Sequence, residues 1–104
     1  MDGIELVKGF LRAQNLEQLA RTDEAIEIYE KVIAGGFDAT GPYDRLIAIY
    51  SNRAHHRDVS RVAQRALENV QTHDAKKAWY GDIKMAAERA EQATPPAAPK
   101  SKRG

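Results

Sequence analysis

The side chains that could do chemistry in this sequence are three histidines, a run of carboxylates, a spaced row of arginines and a few aromatic rings. His55 and His56 are adjacent, and neighbouring helical residues point about 100° apart, so they make a poor chelate compared with an i, i+4 pair. His73 stands alone, and with no cysteine to complete a set we expect no metal ligands. Both adjacent histidines are assigned to the turn between the third and fourth helices. Asp23, Glu24, Glu27 and Glu30 flank an apolar stripe. General acid–base work needs a carboxyl whose surroundings shift its pKa, so these read as solvating charges. Glu27 and Lys31 have the spacing of a helical ion pair, worth about 0.3–0.5 kcal/mol.

Arg57, Arg61 and Arg65 recur every four residues, which puts three guanidinium groups on one side of a helix as candidate anion or phosphate contacts. The basic end "KSKRG" could add tethered charge. The simpler use of such a row is a soluble outer face whose stems cover apolar neighbours. Tyr43 and Tyr50 share a stripe with Leu46 and Ile47 and belong to a core. Trp79 and Tyr80 are adjacent and cannot both face inward. There is no Gly-rich phosphate loop and no nucleophile motif, so no catalytic residue and no cofactor is expected.

Helices must position these groups. Asp2 with Glu5 three residues later forms a capping box that opens the first helix, which runs to about Ala20 with Leu6, Phe10, Ala13, Leu16 and Ala20 on one stripe. Thr22 caps the second, whose inner face is Ala25, Ile26, Tyr29, Val32 and Ile33 and which Gly35 and Gly36 stop. Phe37 folds back on that stop. Pro42 suits the first turn of the third, which buries Tyr43, Leu46, Ile47, Tyr50 and Ala54. The fourth starts near Asp58 and turns Val59, Val62, Ala63, Ala66, Leu67 and Val70 inward. A fifth begins after Thr72 or Asp74 and reaches about Ala93.

From Thr94 the sequence "TPPAAPKSKRG" has three prolines and little apolar mass, so residues 94–104 read as a disordered basic tail behind a helical domain of residues 1–93. The chain is 42% hydrophobic and 30% charged with net charge +1, which gives no global field for nucleic acid or membrane. Residues 1–36 hold 4 basic and 7 acidic side chains, net −3, and residues 74–104 hold 7 and 4, net +3. The start lacks a signal peptide's pattern, no run is long enough to span a bilayer, and zero cysteines fit a reducing compartment. A cytoplasmic setting is expected.

Sliding the sequence by 34 residues superimposes the helices without a gap: Ala13 falls on Ile47, Leu16 on Tyr50, Ala20 on Ala54, Ala25 on Val59 and Ile33 on Leu67. On these residues, on "DEAIEIYEKVI" and on "PYDRLIAIY", the chain resembles the tetratricopeptide repeat family. Gly9 and Arg12 stand where that family prefers an aromatic residue and a leucine. The resemblance covers roughly residues 6–93 and implies an all-α fold of five helices, with antiparallel helix hairpins stacked as a short right-handed α-solenoid. It also implies a non-catalytic module that docks a peptide or helix of a partner protein, or a second copy as a homodimer. The groove residues carried over are Phe10, Gln14, Glu17, Gln18, Asp44, Arg45, Ala48 and Asn52. The family's carboxylate clamp is not among them, because Phe10 and Gln14 stand at its lysine and asparagine places. A nucleic-acid accessory role through the arginine row and the tail is the rival reading.

Overall fold

The computed structural model describes residues 2–71 and 74–93, and Thr72, His73 and the expected tail 94–104 lie outside those residues. Five helices follow in order: α1 Gly3–Gln18, α2 Thr22–Ala34, α3 Gly41–Asn52, α4 His56–Asn69 and α5 Asp74–Ala93. Among the described residues there is no strand. Each helix packs on the next in the chain, most extensively α1 on α2 and α4 on α5.

The local signals act much as their chemistry dictates. Asp2 Oδ1 accepts from the Glu5 amide at 2.8 Å while Glu5 Oε1 accepts from the Asp2 amide at 3.1 Å, so the reciprocal box satisfies two groups at the start of α1. α2 departs from expectation. Thr22 is its first helical residue, the cap position falls to Arg21, and no side chain caps the backbone. Arg21 instead grips Glu24 through two bonds of 2.7 Å, which fixes the acidic first turn. α2 ends at Gly35, and Gly36 takes φ +78°, the left-handed conformation that glycine enters without a Cβ penalty.

One core runs through all five helices. Leu6, Ala13, Ala25, Tyr29, Ile33, Tyr43, Leu46, Val62, Ala66, Val70 and Tyr80 are buried in it, and Phe10, Leu16, Leu67 and Ile83 pack against its edge. Phe37 sits 6.0 Å, ring to ring, from Phe10, and Phe10 is also 6.1 Å from Tyr29. The absence of a side chain at Gly41 admits the Phe10 ring at the start of α3, where a Cβ would lie 2.9 Å from Cε1.

Ala20 and Ala54 are corrections. The apolar period puts both on buried stripes, yet both are exposed, outside the helices, and adopt φ +61° and +56°. The apolar period runs on into them by composition, but the chain has already turned. In the first turn Ala20 N–H donates to Glu17 O at 3.0 Å and Arg21 N–H to Leu16 O at 2.9 Å. In the second, Ala54 N–H donates to Ser51 O at 3.1 Å and His55 N–H to Tyr50 O at 2.9 Å. The same two bonds thus close both turns at positions 34 apart, satisfying the last carbonyls of α1 and α3. α4 also begins two residues earlier than expected, so His56 is its first residue and only His55 remains in the turn.

An alanine in the left-handed region costs about 1–2 kcal/mol that glycine avoids. Ala20→Gly and Ala54→Gly should therefore each raise the unfolding free energy by about 0.5–1 kcal/mol in urea melts, and the pair should add.

Candidate functional site

Gln14, Glu17 and Gln18 of α1 and Arg45 of α3 border one open hollow of about 350 Å³. Helical spacing explains the grouping: residues three and four apart on α1 share a face, and Arg45 leans across from α3. Its walls are set by Glu17. Glu17 Oε1 accepts the Tyr29 hydroxyl at 2.8 Å and the Arg45 Nε–H at 3.1 Å, and Oε2 accepts from Arg45 Nη2. One carboxylate thereby ties α1, α2 and α3. The Arg45 bonds, helped by the Tyr29 hydroxyl and opposed by partial burial, hold Glu17 below the usual carboxylate range.

The other groove residues have different surroundings. Asp44 is turned toward α5, where Oδ1 accepts the Tyr80 hydroxyl at 2.7 Å and Oδ2 lies 3.3 Å from Lys76 Nζ. Phe10 is half-buried among Tyr29, Phe37 and Gly41. Ala48 is half-buried and Asn52 exposed near the end of α3.

The arginine row is divided among carboxylates. Arg57 Nε lies 2.9 Å from Glu91 of α5. Arg61 donates to both oxygens of Glu30 on α2, at 3.0 and 2.6 Å, and to Asp58 at 3.1 Å. Arg65 stands 3.6 Å from Glu68. A phosphate would have to displace these partners. Glu30 also accepts the Tyr50 hydroxyl, so it repeats across α2, α3 and α4 what Glu17 does across α1, α2 and α3. The carboxylate read as a solvating charge is a joint. Glu27 and Lys31, spaced for a pair, make none.

Tyr80 is buried, and Trp79 stays 39% exposed with Lys76 Nζ 3.7 Å above its ring. His55 stacks on Tyr50 at 6.0 Å. Among the described residues no three His, Asp or Glu side chains gather in a way that could hold a metal.

Sequence reasoning overlooked a second stripe on α1. Ile4, Val7 and Leu11 are 68%, 45% and 56% exposed, and their spacing of three and four aligns them along the helix beside Gln14 and Gln18. That spacing was visible, but the buried stripe of Leu6, Phe10 and Ala13 on the same helix had already accounted for its apolar residues. No family model, curated protein or solved structure matches the chain.

Two pH effects follow from the hydroxyl–carboxylate joints. Glu17 is depressed in the folded state, so its stabilisation is complete above the unfolded carboxyl value and disappears as pH falls through the folded one. Glu17→Gln should be less stable at pH 7 and lose less stability between pH 6 and pH 3. Tyr29, Tyr50 and Tyr80 shift the other way: burial first, then the carboxylate bond, raises each phenol above its ordinary value. Their contribution is intact below about pH 10 and is lost above it. Absorbance at 295 nm should show these phenols ionising together with alkaline loss of helix, not before it.

Proposed function

We propose that this chain is a non-catalytic interaction module: a short right-handed stack of tetratricopeptide-like helix hairpins that docks a peptide or helix of a partner protein along the surface shared by α1 and α3. The observation that carries this reading is the exposed stripe of Ile4, Val7 and Leu11 lying alongside Gln14 and Gln18, which line an open hollow. Apolar side chains in a row beside hydrogen-bonding groups are what a partner's mixed surface requires, and a continuous exposed stripe costs solubility unless something uses it.

The two identical turn closures 34 residues apart support the stacked-hairpin reading. That register equates Leu11 with Arg45 and Trp79, so a bound segment would meet apolar, basic and apolar side chains in sequence. Partner side chains of matching kind would cover Leu11 and Trp79. A second copy of the chain is one such partner. No helix among the described residues is long and apolar enough to cross a membrane. With zero cysteines, we place the module in the cytoplasm.

Leu11→Glu puts a charge at the end of the apolar stripe, next to Gln14, without touching the core. Capture of partner protein from the source lysate, or self-association measured by sedimentation, should weaken by about tenfold or more while the helical circular dichroism is unchanged. Equal capture and equal self-association by both forms would remove the reading.

A further inference from the structure

Six of the eight described arginines sit on carboxylates, Arg21 on Glu24, Arg45 on Glu17, Arg53 on Asp23, Arg57 on Glu91, Arg61 on Glu30 and Arg65 on Glu68, and Arg12 and Arg89 do not. Lys8, Arg12 and Lys31 do not follow that pattern. Among the described residues none of the three has an ion-pair partner, and all three border one open hollow of about 330 Å³ between α1 and α2. Gly9 and Ile28 complete its lining, and Glu5 is its single carboxylate. One Glu5 oxygen already accepts the Asp2 amide in the capping box.

We propose that this hollow binds an oxyanion carried on a peptide: an acidic or phosphorylated side chain held by Lys8, Arg12 and Lys31, with an apolar neighbour resting on Ile28. Three like charges around one opening repel one another and raise the local potential, although the whole chain carries only +1. A bound anion relieves that repulsion, and the Arg12 fork can give it two parallel charge-assisted hydrogen bonds while the lysines act as point charges. The apolar portion of the lining favours a peptide over a bare ion. A polynucleotide would need an extended track of cations, whereas here three cationic residues border a single open hollow of about 330 Å³. The site shares no residue with the α1–α3 hollow and does not depend on that surface being used.

The test is titration of the full chain, labelled with nitrogen-15, by three peptides of one apolar sequence that differ only in a central glutamate, phosphoserine or glutamine. The glutamate or phosphoserine peptide should shift the amides of residues 5–12 and 28–31, and whichever binds more tightly identifies the source of the oxyanion. Arg12→Gln should weaken binding by about tenfold, Lys8→Gln and Lys31→Gln by somewhat less, and the control Lys77→Gln not at all. All are surface changes, and retention of the dispersed spectrum verifies the fold. Equal binding of the glutamine peptide would overturn the proposal, as would shifts confined to residues 57–65. Concentration-dependent shifts of the same amides without any peptide would also overturn it, because a second copy's carboxylates would then fill the hollow.

Discussion

A buried phenol must find an acceptor for its O–H, and that requirement organises this protein. All four tyrosines are buried, and each hydroxyl donates to an oxygen on another element: Tyr29 to Glu17, Tyr43 to the Phe37 carbonyl, Tyr50 to Glu30 and Tyr80 to Asp44. A buried hydroxyl without a partner costs about 1–3 kcal/mol. Three of the acceptors are carboxylates, which would themselves be costly near the core if left alone. Each is held by a cation: Arg45 on Glu17, Arg61 on Glu30 and Lys76 on Asp44. Ring, carboxylate and cation form a chain of dependence that crosses helix boundaries.

These joints explain how a small helical chain keeps its elements in register. Apolar packing is tolerant of sliding, because one aliphatic surface resembles another. A phenol hydroxyl bonded to a particular carboxylate is not tolerant, since a displacement of an ångström or two breaks the bond. Glu17 fixes α1, α2 and α3 together, Glu30 fixes α2, α3 and α4, and Asp44 fixes α5 on α3. The overlapping triples carry positional information from one end of the chain to the other.

The same arrangement decides which surfaces remain available. Cations recruited to the joints are neutralised, Arg61 of the α4 row among them, while Arg57 and Arg65 pair with Glu91 and Glu68 outside the joints. α1 keeps an apolar stripe and two basic side chains outside the core. The proposed docking surface draws on that stripe, and the proposed anion site on those basic side chains together with Lys31 of α2.

Much of the fold was legible before any coordinates. Five helices, their inward stripes, the Asp2–Glu5 box, the Gly35–Gly36 stop and the burial of Tyr43 and Tyr50 all rest on interactions within a few residues, which local spacing reports directly. The errors mark where local spacing loses force. Ala20 and Ala54 continue an apolar period, yet closure of the turn, a matter of backbone hydrogen bonds, takes them out of the helix. Glu30 and Arg61 read as surface charges because the bonds that join Glu30 to Tyr50 and to Arg61 span 20 and 31 residues, beyond any helical period. Of the eight groove residues implied by the family resemblance, Gln14, Glu17 and Gln18 share one hollow, but only the approach of α3 brought Arg45 to them and turned Asp44 aside to Tyr80. Sequence determined the helices and their inner faces, since those follow from the geometry of one backbone. Tertiary structure alone decided which charges are spoken for, since pairing depends on which helices meet.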